Sequence, residues 1–141
     1  MRVLFLPLVL GAVASGCSFG CHEMGCEGDV RFTIDPASVQ DDIGAPYTFQ
    51  MSIDELSGRC DGTIGEEFTC TSEWYVLLDD DGLPTDIARR WGSRLDEVVL
   101  DVDRDGQTVF SEAFDADGDV VFPNGRRCGG GCESFSADVT W

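Results

Sequence analysis

The sequence predicts an all-β protein, a single two-sheet antiparallel β-sandwich of about seven short strands with at most one short helix. Segments in which apolar and polar residues alternate recur along the chain, and turns rich in aspartate, glycine and proline separate them. Helical periodicity is confined to one stretch, residues 86–95. Several cysteines lie in or beside the predicted loops, where disulfide bridges would stabilise such a fold.

The first sixteen residues are typical of a secretory signal peptide. Arg2 precedes an apolar run, residues 3–13, that is too short to cross a bilayer as a helix. The sequence ASGC at residues 14–17 resembles the lipobox of bacterial lipoproteins. This resemblance implies that residues 1–16 are removed and that Cys17 is diacylated, whereas the alternative is an ordinary cleaved signal peptide. Ser18 stands where an aspartate would imply retention in the inner membrane, so the resemblance implies the outer membrane.

These assignments divide the chain into three parts: a signal peptide over residues 1–16, a lipid-bearing tether over residues 17–28, and a β-sandwich domain over residues 29–141. The tether, CSFGCHEMGCEG, is polar, contains glycine and shows no periodicity. The domain is long enough for one hydrophobic core and too short for two.

Cysteine spacing predicts a set of local disulfides. Without Cys17, an even number of cysteines remains in a chain sent to an oxidising compartment. The favoured pairs are local ones, Cys21–Cys26, Cys60–Cys70 and Cys128–Cys132. The alternative pairs Cys21 or Cys26 with a cysteine of the segment 60–70. Zinc binding is disfavoured, because C-x2-C spacing is missing and the one histidine, His22, lies in the tether.

Alternating apolar residues predict three strands before residue 79. These strands cover residues 30–34, 47–53 and 68–78. Residues 37–46 and 55–65 are predicted to be loops, and Cys60 lies in the second of them. The acidic turn DDDG, residues 79–82, ends the third strand.

Residues 86–95 are predicted to form the one short helix. Ile87, Trp91 and Leu95 recur at helical spacing, and Asp86 can cap the first turn. The stretch also carries a cluster of basic residues, which we expect to pair with the acidic surface: Arg89, Arg90 and Arg94.

Residues 98–114 give the clearest strand signal, a β-hairpin. Asp105-Gly106 suits the two central positions of a type I′ turn. A turn there pairs Arg104 with Gln107 and continues without interruption to Val98 and Ala113. In this register one face of the hairpin is apolar except for one serine: Val98, Leu100, Val102, Val109, Ser111 and Ala113.

The same stretch matches the calcium-loop pattern D-x-[DN]-x-[DN]-G-x5-E. The carboxylates that would bind Ca²⁺ are Asp101, Asp103, Asp105 and Glu112, with Asp115, Asp117 and Asp119 as accessory candidates. The residues after Glu112 include DADGD and Pro123 and cannot form the outgoing helix of a helix-loop-helix site. The plain hairpin without a cofactor is therefore favoured, and calcium binding is the alternative.

The C-terminal region resembles a group of small uncharacterised bacterial lipoproteins with disulfides and a β-sandwich domain. In these proteins a Pro-Asn-Gly turn leads to two nearby cysteines and a last alternating strand. The matching residues are Pro123, Asn124, Gly125, Cys128, Cys132, Ala137 and Val139, and residues 47–53 after Gly44 are similar to the second strand of these domains. The sequence itself predicts a short strand over residues 119–122 and a closing strand in which Phe135, Ala137, Val139 and Trp141 alternate. The resemblance implies the fold but no activity. The architecture is immunoglobulin-like only in its layers, because the Cys-Trp-Cys spacing of immunoglobulin domains is not evident.

Charge and composition narrow the function. The net charge is −18, and all nine basic residues are arginine, so nucleic acid and anionic lipid headgroups are disfavoured partners. His22 in the tether is the one histidine, and no G-x-S-x-G motif occurs, which disfavours Ser-His-Asp catalysis. We expect a non-catalytic binding or structural module of the envelope, joined to the membrane through Cys17, with an unidentified protein or envelope ligand as partner. A carboxylate-dependent hydrolase is a further alternative.

Overall fold

The computed structural model describes residues 28–91, 95–116, 119–121 and 132–141. These residues form one 3-10 turn, Pro36–Ser38, and ten β-strands. The strands are β1 (Gly28–Ile34), β2 (Pro46–Ile53), β3 (Leu56–Thr63), β4 (Thr69–Cys70), β5 (Tyr75–Leu78), β6 (Pro84–Trp91), β7 (Glu97–Arg104), β8 (Gln107–Asp115), β9 (Asp119–Val121) and β10 (Cys132–Val139). The predicted signal peptide and Cys17, Cys21, Cys26 and Cys128 lie outside the described residues.

The strands form two sheets, which confirms the predicted all-β sandwich. The first sheet has the order β5-β6-β1-β10-β9, and the second has the order β4-β3-β2-β7-β8. One pairing departs from a purely antiparallel arrangement, because β1 and β10 run parallel, with Val30 opposite Phe135. These two strands come from opposite ends of the domain, so no hairpin connection imposes an antiparallel pairing on them.

The core lies between the inner faces of the two sheets. Every second residue of β1 is buried, and on β2 the buried positions begin with Tyr47 and Phe49. Aromatic rings from both sheets meet there, since the ring centroid of Phe32 in β1 lies 5.7 Å from that of Phe114 in β8. Period-2 alternation therefore directs one face of each sheet to the core and the other to solvent.

The β7–β8 hairpin has the predicted turn. Asp105 and Gly106 have φ angles of 52° and 79°, the left-handed conformation that a type I′ turn requires at both centres. Arg104 lies opposite Gln107, as predicted. The buried face of β7 is also as predicted, with Val102 among its fully buried side chains.

Beyond the second pair of the hairpin, the predicted register is wrong by one residue. A bulge shifts β8, so that Val102 lies opposite Phe110 instead of the residue before it. The uninterrupted register would direct Ser111 and Ala113 inward, whereas the observed register directs Phe110 and Phe114 inward. Burying two aromatic rings in place of two small side chains removes more apolar surface from water, and this favours the bulge.

The predicted helix over residues 86–95 is wrong, because β6 spans Pro84–Trp91. A spacing of four residues, as between Ile87 and Trp91, fits a helix face and also alternate positions of a strand. Arg89 takes an inner-face position between them, opposite Val30 of β1, and this charged residue concealed the alternation.

The segment between β2 and β5 also differs from the prediction. Residues predicted as the loop 55–65 form β3, and the predicted third strand divides into β4 and β5, which belong to different sheets. Gly58 and Gly62 of β3 face inward without side chains, because rings from elsewhere fill the space. An ideal Cβ would lie 2.2 Å from Cδ1 of Trp74 at Gly58 and 2.6 Å from Cδ1 of Phe68 at Gly62.

Candidate functional site

The outer face of the second sheet presents two rows of polar side chains, one across all five strands and one across four strands and the residue that follows β4. Alternation of β2 and β7 places their apolar residues inward and their polar residues here. The first row is Thr69, Asp61, Thr48, Asp103 and Thr108. The second row is Thr71, Arg59, Gln50, Asp101 and Ser111. We call these ten side chains the polar face.

Hydrogen bonds order one side of the polar face. Arg59 and Asp61 form a two-point pair, with Nε to Oδ2 at 2.7 Å and Nη2 to Oδ1 at 2.8 Å. The hydroxyl of Thr48 donates to Oδ1 of Asp61 at 2.7 Å. The Arg59 donors, and then the Thr48 hydroxyl, lower the pKa of Asp61 below its ordinary value. The pair is exposed and adds little stability, but it orients both side chains.

Similar hydrogen bonds order the other side. The hydroxyl of Thr108 donates to Oδ1 of Asp103 at 2.7 Å, and Nε2 of Gln50 donates to Oδ2 of the same carboxylate at 3.4 Å. Ser111 donates to Asp101 in the second row. Side chains from four adjacent strands are therefore held in fixed orientations before any ligand arrives.

A cavity of about 290 Å³ opens on the polar face. Side chains on its walls include Gln50, Ser52, Arg59, Thr71 and Asp101. The volume lies at the lower end of the range for small-molecule sites. With hydroxyl, amide, guanidinium and carboxylate groups together, the cavity offers both donors and acceptors to a polar ligand.

The structure divides the predicted calcium ligands between the two faces of the sheet. Asp101 and Asp103 lie on the polar face, and Asp105 lies in the turn. Glu112 lies opposite Leu100, which is buried, so the position of Glu112 is on the inner side of the sheet. In the described part of the chain, no three histidine, cysteine or acidic side chains form a group that could hold a metal ion.

The helix-loop-helix form of the calcium site is wrong, because strands β7 and β8 flank the turn on both sides. Of the accessory candidates, Asp115 is exposed at the end of β8. Asp117 lies outside the described residues, and Asp119 begins β9.

The disulfide Cys60–Cys70 is present as predicted, and the alternative that pairs either cysteine with Cys21 or Cys26 is wrong. The two cysteines are direct cross-strand partners in β3 and β4, with their Cα atoms 4.0 Å apart. Because β4 has only two residues, this bond secures the edge of the sheet from which Thr69 and Thr71 extend. The other two predicted disulfides involve cysteines outside the described residues.

The polar face was not predicted as a site, because one of its central strands was predicted as a loop. A signal for β3 was present: Gly58, Cys60 and Gly62 alternate with Arg59 and Asp61, so small residues and charged residues follow a period of two. Small residues at inward positions are weak evidence of a strand until the rings that cover them are known.

No comparison with known proteins assigns a role to these residues, so the interpretation of the site rests on the geometry of this chain. No protein-family model matches the sequence, and neither a curated protein nor a solved structure gives a match. Among the described residues, no helix has the length and apolar character needed to cross a membrane.

Proposed function

We propose that this protein is a non-catalytic binding module of the bacterial envelope, anchored by a lipid on Cys17, and that it binds a polar envelope ligand through the polar face. The observation that carries the proposal is that ten outward polar side chains form two adjacent rows across the second sheet and that most of them are joined by hydrogen bonds. A surface that serves only solubility does not require this degree of order.

Pre-ordering favours binding because association costs the freedom of each side chain that becomes fixed. Arg59 and Thr48 are already fixed by Asp61, and Asp103 is fixed by Thr108 and Gln50. A ligand that displaces water from these groups would not bear the entropic cost of ordering them. The carboxylates and hydroxyls also favour a ligand that offers hydrogen-bond donors.

The anchor is supported by the ASGC sequence at residues 14–17. β1 starts at Gly28, and residues 18–27 lie between it and Cys17. Ten extended residues span at most about 35 Å. The net charge of −18 repels anionic headgroups, so we expect the domain to stand away from the bilayer at the end of this tether.

Metabolic labelling tests the anchor. The full chain, produced in a bacterium fed with an alkyne-bearing palmitate analogue, should carry the label and sediment with membranes. The variant Cys17→Ser should carry no label and be recovered in the soluble fraction. Absence of label from the wild-type chain would contradict lipid anchoring.

Two matched arginine variants test the binding face. Arg59 lies on the polar face, whereas Arg31 lies on the outer face of the first sheet, where it pairs with Asp29 at 3.2 Å and with Asp86 at 3.5 Å. The probes are purified peptidoglycan sacculi and outer-membrane vesicles, and the protein is the Cys17→Ser chain, which needs no detergent and carries no lipid that could insert into the vesicles. We expect retention on one of these probes to weaken about tenfold in Arg59→Gln, the cost of one lost charged contact, and to stay unchanged in Arg31→Gln.

Three outcomes of this experiment would count against the polar face as a binding surface. One is no retention of the Cys17→Ser chain on either probe. Another is equal loss in both variants, which would indicate a general effect of charge. The third is loss only in Arg31→Gln, which would assign binding to the first sheet.

A further inference from the structure

A second cavity, of about 240 Å³, lies at the end of the sandwich where the chain leaves β10. It is separate from the polar face and brings together the 3-10 turn after β1 with the loop that follows it, the last residue of β7, the bulge of β8 and the second residue after β10. The side chains used below are Ser38, Asp41, Asp42, Arg104, Val109 and Trp141.

Partly buried hydrogen bonds hold the walls of this cavity in place. Tyr47 is only 2% exposed, and its hydroxyl donates to Oδ2 of Asp42 at 2.5 Å. The indole Nε1 of Trp141 donates to the same hydroxyl at 3.3 Å. The backbone N–H of Trp141 donates to Oγ of Ser38, which is itself 7% exposed, at 3.1 Å. Hydrogen bonds from buried residues therefore position the side chains that line the cavity.

The walls carry two carboxylates, Asp41 and Asp42, and one guanidinium, Arg104. Nη1 of Arg104 donates to both oxygens of Asp42, at 3.1 and 3.4 Å, which leaves the other N–H groups of the guanidinium outside this pair. The hydrogen bond from Tyr47, and next the Arg104 pair, lower the pKa of Asp42, so this carboxylate stays ionised. Asp41 adds an exposed carboxylate at the rim.

An aromatic wall completes the cavity. The Trp141 ring lies against Tyr47 and Phe110, with centroid distances of 6.2 and 6.1 Å. Trp141 remains partly exposed and lines the cavity together with Val109. An indole ring that is held by its N–H and partly open to solvent offers an apolar surface beside polar groups.

The charged, polar and aromatic groups on the cavity walls together favour some classes of ligand over others. A cation would meet the Arg104 guanidinium inside the cavity, and an anion would meet two carboxylates in a chain of net charge −18. A purely apolar ligand would leave Arg104 and Asp41 without compensation for the water it displaces. An uncharged ring that carries several hydroxyl groups conflicts with none of these groups.

We propose that this cavity binds one uncharged sugar ring, as found in a neutral hexose or N-acetylhexosamine unit of a glycan. The C–H surface of the ring packs on Trp141. The ring hydroxyls donate to Asp41 and accept from N–H groups of Arg104 that the Asp42 pair does not use. The site does not depend on the polar face, because the residues that form it lie at the end of the sandwich.

Titration of the full chain in detergent tests this site. Neutral monosaccharides, namely glucose, galactose and N-acetylglucosamine, are added while the indole N–H signal of Trp141 is followed by NMR, with the signal assigned from a Trp141→Phe variant. A ligand of this size predicts a Kd of about 1 mM. We expect at least one sugar to shift the Trp141 signal at this concentration.

Two aspartate variants provide the matched comparison. Asp41→Ala removes the rim carboxylate, and Asp80→Ala removes an exposed carboxylate of the β5–β6 turn. We expect Asp41→Ala to weaken sugar binding about tenfold and Asp80→Ala to leave it unchanged. Arg59→Gln should also leave it unchanged, so failure of this site and failure of the polar face are distinguishable.

The proposal is overturned if no sugar shifts the Trp141 signal up to about 50 mM, well above the expected Kd. It is also overturned if tetramethylammonium or inorganic phosphate shifts this signal and the sugars do not. Equal weakening by Asp41→Ala and Asp80→Ala would mean that net charge, not the rim contact, governs binding, and would overturn it as well.

Discussion

The hydroxyl of Tyr47 lies 2.5 Å from Oδ2 of Asp42 and joins the buried end of β2 to the loop that precedes it. On its far side, Asp42 is paired with Arg104, which is 62 residues later in the chain and ends β7. The same hydroxyl accepts a hydrogen bond from the indole of Trp141. One phenol group therefore connects a loop, the second sheet and the C-terminal residue of the chain described here.

Tyr47→Phe should destabilise the protein by about 1 kcal/mol, because the Trp141 indole loses its acceptor and Oδ2 of Asp42 keeps only the Arg104 donor. Tyr75→Phe is the matched control, since Tyr75 is 37% exposed on the outer side of β5. We expect this control to stay within about 0.5 kcal/mol of wild type. Urea unfolding followed by circular dichroism measures both free energies of unfolding. Equal values for the two variants would show that the buried hydrogen bonds contribute nothing.

Acid stability should depend on Asp42. The pKa of Asp42 is lowered in the folded protein, first by the Tyr47 hydrogen bond and then by Arg104. A lowered folded pKa means that ionised Asp42 contributes stability above the unfolded pKa of about 3.9, and that this stability is lost as the pH falls through the folded pKa. Asp42→Asn should therefore be less stable than wild type at pH 7 and lose less free energy of unfolding below about pH 4.

Urea titrations at several pH values between 7 and 2.5 check this dependence. Asp80→Asn, in the exposed β5–β6 turn, serves as the control for a general change in net charge. We expect the free-energy curve of Asp80→Asn to run parallel to that of wild type. Parallel curves for Asp42→Asn and wild type would contradict the prediction.

The strands that could be predicted are those whose own residues alternate between apolar and polar side chains. β2 and β7 alternate large apolar and polar residues, so their inward faces were readable from local sequence. β3 could not be predicted from its own residues, because the space on the inner side of Gly58 is filled by Trp74, which comes from a different part of the chain. The bulge in β8 was also hidden, because it depends on rings such as Phe32 in the opposite sheet.

The candidate site shows the same limit. In the sequence, the spacing of Asp101 and Asp103 matches a calcium loop, because a sequence shows only which residues are close along the chain. In the structure their neighbours are Ser111 and Thr108 across the hairpin and Gln50 on β2. Cross-strand partners decide what a strand's outer face can bind, and they follow from topology that the spacing of aspartates does not contain.

Calcium should have little effect on the isolated protein. Glu112 lies on the opposite side of the sheet from Asp101 and Asp103, so these carboxylates cannot converge on one ion without unpairing the hairpin. We expect 5 mM CaCl₂ and 5 mM EDTA, concentrations above those that fill weak extracellular sites, to give melting temperatures within about 1 °C of each other. A rise of several degrees with CaCl₂, lost in Asp101→Asn, would instead support the calcium-binding alternative.

The Cys60–Cys70 disulfide should contribute about 3 kcal/mol, the value that the chain-entropy model gives for a short loop. The double variant Cys60→Ala/Cys70→Ala therefore should unfold at a lower urea concentration than wild type. It should also reduce retention on the envelope probes, because it frees the edge strand that carries Thr69 and Thr71. Urea unfolding and the retention assay measure the two effects separately. Unchanged retention despite lower stability would place β4 outside the binding surface.

Gly58 should tolerate no side chain. Its backbone lies against the Trp74 ring, and an ideal Cβ would lie 2.2 Å from Cδ1 and 2.5 Å from Nε1 of that ring. Trp74 is 4% exposed and packs on Phe32, so the ring cannot move outward without opening the core. Gly58→Ala should cost about 2 kcal/mol from overpacking.

Ser57→Ala is the matched control, because Ser57 precedes Gly58 in β3 and its side chain points to the outer face beside Ser52. We expect the control to change the free energy of unfolding by less than about 0.5 kcal/mol. Urea unfolding followed by tryptophan fluorescence reports on both stability and the environment of Trp74. If Gly58→Ala were as stable as wild type, with an unchanged fluorescence spectrum, the close packing of Trp74 on Gly58 would be wrong.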